Sequence, residues 1–160
     1  MPKINVVIIM EKMEKKAMKI YNSKLKILEN LIGNDTTWLH ELDKAGKKLF
    51  GTKFSGVYPS DKIPKLTKSK CYCILNLDKS GEPGSHWIAL AKVKDKIMFY
   101  DSFGRKGEKL IPTLKLSGNG KIIDTQLDKE QQVLQTNCGA RCLAWLWVFD
   151  ECGSKVAYLI

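Results

Sequence analysis

The stretch that most constrains this chain is 131–149, where a Gln-rich polar segment gives way at Cys138 to the almost wholly apolar run 143–149. A helix that is apolar all round has to be buried, so the fold must enclose a helix that starts near Cys138. The first turn of a helix carries unpaired N–H groups and a partial positive charge, and both favour a thiolate over a thiol. A nucleophile is well placed there. The rest of the chain must then supply a base, a group that orients the base, and donors for an oxyanion. Cys142, one turn further along the helix, reads as core, as do Cys71 and Cys73.

The 160 residues suffice for one domain with its own core, and no repeat, low-complexity tract or linker divides them. Residues 1–33 predict a basic amphipathic helix added to a compact core. Val6, Ile9, Met10, Met13, Ala17, Ile20, Tyr21, Leu25 and Leu28 recur at helical spacing, lysines fill the other face, and Gly33-Asn34-Asp35 stops it. A second helix is expected from a cap at Asp35 or Thr36 to about Lys48, with His40 on its exposed face as a surface residue. Residues 51–66, rich in Gly, Pro and Ser, read as an ordered loop forming one wall of a cleft.

The period then changes. Residues 71–77, 87–93 and 96–100 read as strands, the last two as a hairpin turning at Lys94-Asp95. Residues 105–116 predict an amphipathic helix interrupted near Pro112, and 121–125 a last strand. The expected fold class is α+β: a small central, mostly antiparallel sheet packed between the buried helix, at about 138–150, and peripheral helices.

The hairpin carries the chemical argument. His86 opens its first strand and Asp101 closes its second, so an imidazole and a carboxylate meet at one edge of the sheet. Cys138 completes a Cys–His–Asp set if the buried helix points its N-terminus at that edge. His86 would then act as base, Asp101 would fix its tautomer, and the Cys138 N–H with a side-chain amide from Gln131, Gln132 or Gln135 would hold the oxyanion. The structural alternatives are a small core cysteine and two chance loop residues. A zinc set of Cys71, Cys73, His86 and Cys138 is disfavoured, because the sequence has no Cys-x-x-Cys.

Lys and Arg number 27 against 17 Asp and Glu, for a net charge of +10. That points to a polyanionic partner, nucleic acid ahead of a membrane surface, the plain alternative being a basic surface kept for solubility. Five cysteines, no signal-peptide pattern and no run near the ~18 apolar residues of a membrane span predict a reducing intracellular setting with free thiols.

The motifs together resemble a known clan. Gly84-Ser85-His86-Trp87-Ile88-Ala89-Leu90, then Phe99-Tyr100-Asp101-Ser102-Phe103-Gly104, then Gln132 six residues before Cys138-Gly139, are similar to the cysteine protease clan of adenovirus maturation proteases (adenain) and SUMO-specific proteases. The order His–acid–Cys differs from that of papain-like enzymes. Leu49-Phe50-Gly51-Thr52, Phe54-Ser55-Gly56-Val57, Pro59 and Cys73-Ile74-Leu75-Asn76 resemble the segment leading to the adenoviral catalytic His. The likeness covers about residues 40–150, and such compact versions resemble proteases of virophages and polinton-like elements.

The resemblance implies a single cysteine protease domain over 1–160, with 1–33 as an extension and about 36–152 as the catalytic core. It implies His86 as base, Asp101 as orienter, Cys138 as nucleophile and Gln132 as oxyanion donor, with Gln131 the alternative, and Trp87 and Gly139 beside the substrate. No metal and no cofactor is required for chemistry, although DNA or a peptide could activate. The implied substrates are viral capsid or core precursors, cut near Gly-containing sites during virion maturation. The implied protein is a monomer on non-specific DNA and off membranes, in the virion and the host cell interior (nucleus or cytoplasmic virus factory). The alternative is a deconjugating protease for a ubiquitin-like modifier.

Some features depart from the adenoviral pattern. The acid is Asp, as in the SUMO proteases, and the Gln132–Cys138 spacing is also theirs, the adenoviral spacing selecting Gln131. Lys121-Ile122-Ile123-Asp124 lacks the cysteine through which the adenoviral enzyme is joined to its peptide, and the N-terminal helix has no adenoviral counterpart.

Overall fold

The computed structural model describes residues 2–67, 69–126 and 128–160, with 2–4 as backbone only. In chain order the elements are α1 (Pro2–Ile32), α2 (Leu39–Phe50), β1 (Phe54–Pro59), β2 (Tyr72–Asn76), β3 (Trp87–Val93), β4 (Lys96–Tyr100), α3 (Gly107–Leu110), β5 (Lys121–Asp124), α4 (Cys138–Cys152) and α5 (Ser154–Tyr158). The fold class is α+β, built on one five-stranded sheet in the order β1-β2-β3-β4-β5.

The sheet is mixed, not mostly antiparallel. β2–β3 and β3–β4 pair antiparallel, while the outer pairs β1–β2 and β4–β5 are parallel. β1 occupies part of the stretch expected to be a loop. Its Ser, Gly and Pro read as turn chemistry, but an edge strand tolerates them, since Pro59 has no N–H to offer a ladder. Gly56 sits at φ 139°, and the β1–β2 register shifts between Phe54 and Gly56. The predicted hairpin is present, with Lys94 in its two-residue turn at φ 55°.

β2 is buried along its whole length and β3 along its first five residues, so their apolar runs alternate between two cores. Tyr72, Ile74, Trp87, Ala89, Ala91, Met98 and Tyr100 face α4. Cys73, Leu75, Ile88, Leu90, Ile97 and Phe99 face the opposite side with Leu66, Ile111 and Leu114. That second layer is thin. The helix expected over 105–116 is only the four residues of α3 and a 3-10 turn, Pro112–Leu116, because Pro112 lacks the N–H a continuing helix needs.

The apolar run after Cys138 becomes α4, with Leu143, Trp145 and Leu146 fully buried and the Trp145 indole stacked on Tyr100 at 5.2 Å. It runs two residues past the expected end, and a further short helix, α5, turns back so that the Ala157 carbonyl accepts from Trp145 Nε1 at 3.0 Å. The long α1 is less of an appendage than its pattern suggested: Ala17, Tyr21, Leu25 and Leu28 are buried in the same core as α4. Its first third is not, and Val6, Ile9, Met10 and Met13 stand in solvent. α2 begins later than expected. Trp38 holds the cap position and its N–H is accepted by the Glu41 carboxylate at 2.8 Å. Asp35 instead accepts from the Thr36 N–H and the Thr136 hydroxyl. Among the described residues no helix is long and apolar enough to cross a membrane.

Candidate active site

Register brings the site together. Ala89 pairs with Tyr100 across β3 and β4, His86 immediately precedes β3, and Asp101 immediately follows β4. The head of α4 meets that edge. His86 Nε2 lies 2.6 Å from Asp101 Oδ1, which leaves Nδ1 for the Cys138 thiol, and imidazole and thiol are close enough that each shifts the other's pKa. All three side chains are buried, so their mutual electrostatics are little screened by water.

The acid is fixed from two directions. Besides His86, Asp101 accepts at Oδ2 from Arg105 Nε at 2.7 Å and from the Arg105 N–H at 3.1 Å. Burial alone would raise its pKa, but the bonds to His86 and Arg105 outweigh it and hold the carboxyl at about 2. The Phe103 ring packs against the imidazole at 5.0 Å and carries the Arg105 guanidinium on it at 5.2 Å. The ring of His86 is thus set by packing as well as by its hydrogen bond.

His86 and Cys138 titrate toward each other. Burial pushes the imidazole down, yet the bonds to Asp101 and Cys138 and their charges lift it above the ordinary histidine value. Burial likewise pushes the thiol up, and the His86 bond and charge, with backbone N–H groups of Trp87 and Gly139, bring it below the ordinary cysteine value. The direction for both is a thiolate–imidazolium pair. Cys142, one turn on, goes the other way: burial raises it well above the usual thiol range.

The sulfur opens on a cleft of about 700 Å³. Asn76, the 78–85 loop and Pro59 line one part; Trp38, Leu39, Val133 and Thr136 line another. The expected wall at 51–66 therefore contributes only Pro59 to the lining. Trp87 lines the cleft as well, its indole N–H donating to the Thr37 carbonyl at 3.1 Å. Gly139 does not line it. A Cβ there would stand 2.9 Å from Leu42 and 3.1 Å from Thr37, so its glycine answers to packing, while its N–H faces the sulfur.

The two glutamines separate clearly. Gln131 is 2% exposed and lines the cleft, with Oε1 accepting from Ser102 Oγ at 2.6 Å and Nε2 donating to the Gln135 carbonyl. An amide nitrogen carries two hydrogens, so one stays uncommitted among the described residues. Gln132, the first choice for an oxyanion donor, has its side chain in solvent and is absent from the lining. Its backbone N–H donates to Gln135 Oε1 at 2.8 Å instead. The difference in placement has a simple cause: the Ser102 carbonyl accepts the N–H of Gln131 at 3.0 Å and turns that residue inward.

Ser102, Phe103 and Asn76 lie inside the motifs quoted above but carry no expected role there, and Arg105 and Thr37 lie outside them; Arg105, four residues beyond Asp101 across a glycine, is a cation placed to meet that carboxylate. The zinc alternative does not assemble, since Cys71 and Cys73 pack with Leu75 on the sheet face away from Cys138. Among the described residues no group of three or more His, Cys, Asp or Glu could hold a metal ion. In comparisons with known proteins, no family model and no curated sequence matches the chain.

Proposed function

We propose that this chain is a cysteine endopeptidase of the adenovirus-protease and SUMO-protease type, cutting viral capsid or core precursors near Gly-containing sites during virion maturation. The observation that carries this reading is the row Cys138–His86–Asp101, in which His86 is bonded to the buried Asp101 and His86 and Cys138 line an open cleft. His86 holds the thiol proton at Nδ1, and Cys138 Sγ attacks the peptide carbonyl carbon. The tetrahedral oxygen takes hydrogen bonds from the Cys138 N–H, which has no acceptor within its own helix, and from the free Nε2 hydrogen of Gln131. As the C–N bond breaks, His86 passes its proton to the departing amine. A water molecule, deprotonated by the same nitrogen, then attacks the thioester and releases the acid and the thiolate.

With Gln131 as donor, the seven-residue step to Cys138 is the adenoviral spacing, which supports maturation over deconjugation of a ubiquitin-like modifier. The net charge of +10 supports non-specific binding to packaged DNA. The reading is tested by incubating candidate virion precursors with wild type and with Cys138→Ala, then mapping the new termini. Cuts near glycine that vanish in the variant are expected. Equal processing by both proteins sinks the proposal. Rapid labelling by a ubiquitin-like suicide probe, without precursor cleavage, would transfer the chemistry to deconjugation.

A further inference from the structure

A row of hydrogen bonds runs from the N-terminal helix to the cleft. Glu29 on α1 accepts from Asn137 Nδ2 at 2.7 Å. Asn137, at the cap position of α4, accepts at Oδ1 from Arg141 Nε at 2.9 Å. Arg141 Nη1 reaches Tyr21 of α1 at 3.3 Å and Nη2 reaches Gln135 Oε1 at 3.2 Å. The Gln135 carbonyl in turn accepts from Gln131, whose far oxygen is bound by Ser102. A second tie, Asp35 to the Thr136 hydroxyl at 2.9 Å, joins the bend that follows α1 to the same loop.

Arg141 is the unusual member. It is 7% exposed, and its side-chain hydrogen bonds all go to neutral oxygens; among the described residues no carboxylate lies within ion-pair distance, although Glu130 is near enough for the two charges to act on each other. A buried guanidinium satisfied by neutral oxygens stabilises a fold poorly compared with an apolar side chain. What its planar fork does well is hold several acceptors in one fixed arrangement. Here those acceptors belong to α1, to the cap of the helix bearing the thiol, and to the loop bearing the amide.

We infer that α1 is a working part of the active site, in which Glu29 and Tyr21, acting through Arg141, are positioning residues for the 131–137 loop. This rests on the endopeptidase reading given above. None of these groups touches His86, Asp101 or the sulfur, so the helix sets the oxyanion side of the site and leaves the ion pair alone. The segment that reads in sequence as an added arm is then the element that holds one wall of the cleft in place.

The test uses the full chain with Glu29→Ala, Glu29→Gln and Arg141→Lys. Losing a hydrogen bond to a charged group costs on the order of tenfold or more. Peptide turnover by Glu29→Ala should therefore show kcat down by about that factor with KM little changed. Its amide exchange over 131–137 should quicken by a similar factor. The pH profile of Cys138 alkylation should stay in place, and Glu29→Gln, which keeps an acceptor oxygen, should restore most of both. Arg141→Lys should lose more, since one ammonium cannot span three acceptors. Unchanged exchange over 131–137 in Glu29→Ala, or a kcat loss that Gln does not rescue, overturns the proposal. Exchange is read without substrate, so it judges the clamp even if wild type cleaves nothing, which would count against the endopeptidase reading alone.

Discussion

Replacing Asp101 by Asn keeps the shape of the side chain and removes its charge. In the native site two oxygens accept from His86 at 2.6 Å, from Arg105 Nε at 2.7 Å and from the Arg105 N–H at 3.1 Å. An amide has one oxygen, so either His86 or Arg105 must face an NH₂ donor. The imidazole loses the bond and the charge that lift it above the ordinary histidine value, and the thiolate loses its counter-ion in turn. A charge-assisted hydrogen bond is worth about 1.5–3 kcal/mol, which predicts turnover lower by roughly 10- to 150-fold. Folding carries a second signature. Asp101 titrates at about 2 in the native protein, against about 3.9 in an unfolded chain. A depressed acid contributes stability that is present above the unfolded value and lost as pH falls toward the native one, here about 2 kcal/mol between pH ~5 and ~2. Peptide kinetics, iodoacetamide rates against pH and urea unfolding at both ends of that window check it. Undiminished turnover, with an alkylation profile superimposable on wild type, would refute the reasoning.

Three further outcomes follow from the geometry. Gln131→Ala should lower kcat by about 10²–10³, the usual cost of one oxyanion donor, and Gln132→Ala should leave it near wild type; steady-state kinetics of the pair decides between them. Gly139→Ala forces a methyl against Leu42 and Thr37 and should cost about 1–3 kcal/mol of stability by overpacking, read by urea unfolding. If the net charge of +10 serves to hold DNA, affinity should fall steeply between ~50 and ~200 mM salt, and a flat profile in fluorescence anisotropy would exclude that role.

The central strands and α4 were legible because their signals are local. An alternating or continuous apolar run bounded by Gly, Pro and polar residues states its own period, and the two-residue turn at Lys94-Asp95 fixes which strand ends meet. That His86 and Asp101 meet follows from that turn, while their roles rest on the family resemblance. β1 was hidden because a parallel edge strand depends on a crossover partner for its ladder, and its Gly56 and Pro59 carry turn chemistry. The choice between Gln131 and Gln132 was hidden for a similar reason. Adjacent side chains point apart, and which one faces inward is decided by the distant Ser102 carbonyl. Arg141 is the clearest case of long-range information. Within the pattern of α4 it looks like a lone basic residue in an apolar stretch, and only the packing of α1 shows what it binds.

Cys138 itself offers the most direct test, because the chain holds four other cysteines against which to judge it, and only Cys152 is not buried. Exposure alone would make Cys152 the reactive thiol. The account predicts the reverse: at pH 6, a peptide electrophile should form a single adduct on Cys138, mapped by mass spectrometry, and His86→Ala should abolish it. An adduct on Cys152 with Cys138 untouched, or labelling that His86→Ala leaves unchanged, would contradict the thiolate–imidazolium pair on which the whole reading stands.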